Sequence, residues 1–155
     1  MPVGSDEQFM ELALEEARKA ELADEVPVGA VVVVAGVVVA SGFNQPISAS
    51  DPTAHAEIVV LRDAARLGGN YRLSAATLYC TLEPCMMCAG AMIHARIPRL
   101  VFGALDPRAG SAGSIYNVLT DPRLNHRVDV VTGIRQEECR ALLRNFFARR
   151  RNIEK

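Results

Sequence analysis

The sequence predicts an α/β fold, a three-layer α/β/α sandwich with a mixed five-stranded sheet and helices on both faces. Three observations carry that prediction. A valine-rich run over residues 28–40 is broken only by Ala35-Gly36, as in a β-hairpin. After it, segments of helical period alternate with short apolar runs of strand length. The chain has 155 residues, 50% hydrophobic and 23% charged, enough for one core, so residues 1–155 read as a single domain.

Each element has its own signal. Ser5 or Asp6 is placed to cap a first helix, where Phe9, Leu12, Ala13, Ala17 and Ala20 recur at helical spacing. Residues 28–34 and 37–40 read as two strands, with Ala35-Gly36 as their turn. Residues 44–52 are rich in Ser, Pro and Asp and read as a loop that delivers Thr53 as N-cap of a second helix. Ile58, Leu61 and Ala65 mark that helix's buried stripe, and Gly68-Gly69 stop it. Residues 76–81 form a third strand. A third helix opens at Pro84 or Cys85 and ends near His94. Residues 100–103 and 128–132 are two more short strands. A last helix runs over about 136–150, with Cys139, Leu142, Leu143, Phe146 and Phe147 on one face.

Composition narrows the function classes. The apolar run at 28–40 is too short to span a bilayer, and Gly36 interrupts it. The N-terminus is acidic and helical in pattern, unlike a signal peptide. Four cysteines without a secretion signal point to reduced thiols in a cytoplasm rather than disulfides. The net charge is only -1, but it is uneven. Residues 6–25 are acidic in balance, with Arg18 and Lys19 their only basic residues, whereas Arg140, Arg144, Arg149, Arg150 and Arg151 crowd the other end. Such a basic face can bind phosphates on a near-neutral chain, although a solvated helix face is the plainer reading of charge alone.

The chemistry lies in two short segments, His55-Ala56-Glu57 and Pro84-Cys85-Met86-Met87-Cys88. One imidazole and two thiolates suit zinc, one ion per chain. Three protein donors leave the fourth tetrahedral position open for water. Glu57 is free to act as an acid and base, taking a proton from water and returning protons to a ring nitrogen and to departing ammonia. A lone C-x-x-C or H-x-E is weak; both together, in this order, are specific. Cys85 and Cys88 are expected on one face of the first helical turn, where the helix dipole favours thiolate. His55 and Glu57 are harder to reconcile. Residues two apart in a helix diverge by about 200°, so His55 has to lean in from the helix start. Cys80 and Cys139 fall in core patterns and read as inert, His94 reads as structural, and Met86-Met87 as packing or interface.

Flanking segments carry a resemblance. They include Glu25-Val26-Pro27-Val28-Gly29-Ala30, Gly42-Phe43-Asn44-Gln45-Pro46, Asp51-Pro52-Thr53-Ala54, Asn70-Tyr71-Arg72-Leu73, Phe102-Gly103-Ala104 and Asn125-His126-Arg127-Val128. With the two motifs, they make the chain resemble the bacterial tRNA-specific adenosine deaminases of the cytidine deaminase-like superfamily, themselves a known instance of the H-x-E and P-C-x-x-C pairing. The resemblance implies the cytidine deaminase-like fold, adenosine-to-inosine conversion at the wobble position of a tRNA anticodon stem-loop, and a homodimer. It implies zinc on His55, Cys85 and Cys88 with Glu57 as proton shuttle. It assigns Asn44, Val28, Ala30 and Ala56 to the base pocket. It assigns RNA contact to His126, Arg127, Arg144, Arg149, Arg150 and Arg151. Two departures stand out: Ser48-Ala49-Ser50 carries no charge, and Cys80 stands where an aliphatic residue would serve.

Two other readings use the same residues. A deaminase of a free base or nucleoside needs the same zinc and glutamate but has no use for Arg149-Arg150-Arg151. A non-catalytic zinc module needs a fourth ligand, for which Cys80, His94 and Cys139 are the candidates.

Overall fold

The structure, a computed structural model, describes residues 4–154. Its elements follow in the order α1 (Asp6–Leu22), β1 (Gly29–Val34), β2 (Val37–Phe43), α2 (Ala56–Gly68), β3 (Ala76–Leu82), α3 (Met86–His94), β4 (Arg99–Ala104), β5 (Asp129–Thr132) and α4 (Gln136–Glu154). The sheet is ordered β2-β1-β3-β4-β5. β1 is antiparallel to β2 and β3, while β3, β4 and β5 run parallel. This is the mixed five-stranded sheet expected from the sequence.

β1 reads as continuous valine because both its faces are covered. Ala30 and Val32 pack with Val60, Leu61 and Met92 of α2 and α3. Val31 and Val33 pack with Met10, Leu14 and Cys139 of α1 and α4. Ala35 and Gly36 both have positive φ, 51° and 78°, which closes the hairpin with the right-handed twist its strands need. At the start of β1, α1 lies so close that a Cβ on Gly29 would sit 2.0 Å from the Ala13 carbonyl oxygen. That approach fixes the strand's first residues, which feed the site.

Several local expectations shift. Ser5 caps α1 in a capping box with Gln8. The buried stripe of α1 runs through Met10 and Leu14, leaving Leu12 exposed. Thr53 does not cap α2. Its amide and hydroxyl both turn back to Asp51 Oδ1, at 2.8 and 2.7 Å, and His55 takes the cap position. Ala64, not Ala65, is buried in α2, and Gly69 ends that helix at φ 64° as expected. Phe147 is exposed although its neighbour Phe146 is buried. Among the described residues, no helix is long and apolar enough to cross a membrane.

Candidate active site

The starts of α2 and α3 converge where β1 begins and β3 and β4 end. His55 occupies the N-cap of α2 with φ -69° and ψ 154°, and Cys85 occupies the N-cap of α3 with φ -77° and ψ 176°. Neither side chain caps its own helix. This extended backbone resolves the phase problem: His55 precedes the helix, so helical spacing does not separate it from Glu57. It also corrects the expectation for Cys85, which lies just outside α3, while Cys88 falls in its first turn.

The result is a tight donor cluster. His55 Nδ1 lies 3.5 Å from Cys85 Sγ and 3.5 Å from Cys88 Sγ. All three atoms lie within 4.8 Å of one another. A tetrahedral zinc with Zn–S about 2.3 Å and Zn–N about 2.0 Å spaces a nitrogen and a sulfur donor about 3.5 Å apart, so the cluster fits that ion. The described residues bring no fourth His, Cys, Asp or Glu donor into the group. Cys80 and Cys139 are buried thiols outside it, each pushed up by burial.

The electrostatics match a ligand set. The hydrogen bond from Cys88 and the neighbouring His55 together outweigh burial and hold Cys85 at about 4, a ready thiolate. The same bond to Cys85, with burial, pushes Cys88 up. His55 is raised by its contact with Cys85. Glu57, the second residue of α2, is 4% exposed, and burial pushes its carboxyl above the ordinary range.

A cavity of about 210 Å³ opens onto this cluster. Its walls are Val26, Val28, Asn44, His55, Glu57, Leu82, Glu83, Cys85, Asp106 and Ala109. Asn44 and Val28 were anticipated from the sequence. Ala30 and Ala56 were also assigned to the pocket, but both are fully buried behind its walls.

Comparison with known proteins agrees with the geometry. Residues 3–104 match the family described as the cytidine and deoxycytidylate deaminase zinc-binding region. The tRNA-specific adenosine deaminase of Haemophilus influenzae is 51% identical over 151 residues, covering 97% of this chain and 87% of the relative. The chain belongs to the tRNA-specific adenosine deaminase family. A solved structure from a study of A-to-I editing by tRNA:A34 deaminases superposes with a TM-score of 0.85 at 48% identity, covering 88% of this chain and 99% of that one. A guanine deaminase from Nitrosomonas europaea superposes at 0.83 with 28% identity, covering 96% and 87%. The matched family region is a zinc-binding one, and zinc is the metal of this tRNA-specific adenosine deaminase family member.

The deaminase pocket adjoins a larger groove of about 820 Å³, and the two share Val26, Leu82 and Asp106 as walls. Arg108, Arg140, Arg144, Arg150 and Arg151 line the groove around Leu105, Leu143, Phe146 and Phe147. The arginines foreseen for RNA contact thus divide. Arg144, Arg150 and Arg151 face the groove. Arg149 does not line it and pairs with Glu21 of α1 at 3.0 Å. His126 is held by the Ile97 carbonyl at 2.8 Å, Arg127 donates to the Pro122 carbonyl, and neither lines the groove.

Two buried carboxylates frame the pocket, each without a described basic partner within ion-pair distance. Glu25, 1% exposed, accepts from the Ile47 and Ser48 amides at 3.2 and 2.6 Å and from the Ser48 hydroxyl. Burial raises its pKa, and these donors more than reverse that. The uncharged Ser48 therefore serves the loop's anchor. Glu83, 2% exposed, takes the same role toward the loop after β4. Of the wall residues not foreseen, Val26, Leu82 and Glu83 adjoin recognisable motifs. Asp106 and Ala109 arrive by tertiary folding alone.

Proposed function

We propose that this chain converts adenosine to inosine at the wobble position of a tRNA anticodon, releasing ammonia. The observation that carries this reading is that a base-sized pocket and an arginine-lined groove lie side by side, with Val26, Leu82 and Asp106 as common walls. A free base needs only the pocket. The groove offers cations for flanking phosphates, and the exposed Phe147 for stacking. High identity to enzymes named for tRNA supports the same substrate.

In the pocket, His55, Cys85 and Cys88 would hold zinc. When bound, zinc supplies a Lewis acid that makes water a competent nucleophile near neutral pH. Glu57, buried beside the donors, accepts the proton that water gives up. It returns protons to the ring nitrogen and to the leaving amine, so that water and adenosine become inosine and ammonia. Asn44 presents a carboxamide, both donor and acceptor, to a purine edge. Val26, Val28 and Leu82 exclude water from the face of the base.

The same reading includes a homodimer, for which Met86 and Met87, exposed at the start of α3, offer apolar surface. It includes one catalytic domain over the whole chain. Thiols kept reduced at Cys85 and Cys88 suit a cytoplasmic enzyme. The test is a product assay. Zinc-loaded protein is incubated with an anticodon stem-loop bearing wobble adenosine, beside free adenosine, cytidine and guanine. Inosine should form in the stem-loop and little should happen to the free compounds. Faster turnover of any free compound overturns the reading in favour of a small-molecule deaminase, the activity of the Nitrosomonas relative.

A further inference from the structure

We propose that Glu83 is a positioning residue: its carboxylate holds the loop after β4 as a wall of the pocket and so sets how the substrate base is seated. The proposal rests on the reading above for its substrate.

A buried carboxylate without a cation is costly unless its oxygens are met by donors. Glu83 has four. The Asp106 amide reaches Oε1 at 3.0 Å, joined there by the Ser114 hydroxyl. The Ala112 and Ser114 amides reach Oε2, each at 3.0 Å. All four donors belong to one loop, which lies in no named strand or helix; only an isolated bridge pairs Ala112 with Asn117.

The part of the loop that meets Glu83 is mostly exposed, apart from Gly110 and Ser111, and the loop's apolar core residue Leu119 lies further along. Leu105, Pro107, Arg108 and Ala109 are exposed, as are Gly113 and Ser114. The order of this part therefore depends on polar anchoring more than on apolar packing. Main-chain bonds add to the anchor: Glu83 donates to the Ala104 carbonyl at 2.8 Å, and the Ser111 amide donates to the Pro84 carbonyl at 2.8 Å. Gly110 makes room for the carboxylate, since a Cβ there would lie 2.3 Å from Glu83 Cδ.

The anchored loop forms part of the site's wall. Asp106 and Ala109 line the pocket, and Asp106 and Arg108 line the groove. Glu83 stands two residues before Cys85. One side chain thus ties the pocket's wall to the connection that carries two of the three donors. An apolar anchor would keep the loop near, but four directional bonds fix its register. A glutamine is nearly the same size, yet it would turn an N–H₂ toward backbone N–H groups.

Two variants test this, Glu83→Gln and Ser114→Ala, each zinc-loaded and compared with the parent on the stem-loop. Glu83→Gln should raise KM about tenfold or more, the scale of losing a charged hydrogen bond, with kcat and zinc content changing much less. Ser114→Ala, which removes one donor, should raise KM by a smaller factor. In both variants amide exchange at Ala112 and Ser114 should quicken while exchange within β3 stays slow. A folded, zinc-loaded Glu83→Gln enzyme with the parent's KM overturns the proposal, even if its Tm is lower, because Glu83 would then only stabilise the fold. Should Glu83→Gln not fold, Ser114→Ala decides: parent-like KM and exchange overturn the proposal, and altered values support it. If the parent itself makes no inosine, the substrate reading fails, and the exchange measurement still decides whether Glu83 orders the loop.

Discussion

The two ends of the sheet hold their carboxylates in different ways, buried at one end and half-buried at the other. At the pocket end, Glu25 and Glu83 are met by main-chain N–H groups and serine hydroxyls from single loops. Toward the opposite end, Asp6 is met by side chains: Arg99 donates at 3.0 and 2.7 Å and the Tyr79 hydroxyl at 2.7 Å. The difference has consequences. Backbone donors converge on a carboxylate only when their loop takes one particular shape, so such an acid specifies conformation. Flexible side chains converge from many arrangements, so the Asp6–Arg99 pair ties α1 to the sheet without dictating a loop. Damage at the pocket end should therefore reach catalysis, and damage at the other end should reach stability.

The largest effect should come from the pocket's own acid. Glu57→Gln should retain zinc and fold and lose about 10²–10⁴-fold in turnover, read by inosine formation in a single-turnover assay. A variant within a few-fold of the parent would remove Glu57 from proton transfer.

The groove sharpens the contrast within one helix. Changing Arg144, Arg150 and Arg151 to Ala should raise the stem-loop KM and flatten its dependence on salt, by a slope of about 0.7 for each phosphate left without its arginine. Arg149→Ala should change neither, because Arg149 is engaged with Glu21 and does not line the groove. Titration of KM against salt checks both. Equal effects from the two variants would erase the division of the helix into a groove face and a packing face.

At the opposite end, Asp6→Asn should cost about 1–2 kcal/mol of stability, with kcat and KM unchanged. Hydrogen bonds from Arg99 outweigh burial and hold the Asp6 carboxyl below its ordinary value of 3.8. A lowered folded-state pKa contributes stability that is present above the unfolded value and lost as pH falls through the folded one. Denaturation at several pH values should therefore show a constant gap between parent and variant near neutrality. The gap should narrow below about pH 4. A gap that widens on acidification would reverse the assignment.

The smallest change lies in the hairpin turn, remote from the pocket. Ala35 holds φ 51° where asparagine is better tolerated, so Ala35→Asn should raise stability by about 0.5 kcal/mol without altering activity. Thermal unfolding would detect it.

Legibility in the sequence follows the same division. The strands of the hairpin, the stop at Gly69 and the three donors were readable because each signal is local: a period, a glycine, a short motif. Thr53 misled because its side chain could serve either a helix cap or the Asp51 turn, and the sequence does not say which competitor wins. Leu12 and Phe147 misled because a helix turns about 100° per residue, and the phase that faces the sheet is set by packing. Arg149 and Arg150 differ by one such step and meet different surroundings. Asp106, Ala109 and the loop's dependence on Glu83 were illegible, since they arise where β4 happens to deliver the chain. The Ser111 hydroxyl oxygen is, among the described residues, the one fully buried side-chain polar atom without a hydrogen-bond partner, and nothing in the structure explains it.

His55 and Cys85 both stand at helix N-caps, where Ser, Thr, Asp or Asn would bond to the first turn and stabilise each helix by about 1 kcal/mol. Neither residue does so. The substitutions most favourable to the two helices are therefore the ones that would dismantle the donor cluster. Selection for stability alone would push these two positions away from function, and a design scored only on helix capping would be drawn to them. The protein keeps two weakened helix starts pointed at one spot, a stability–function trade-off.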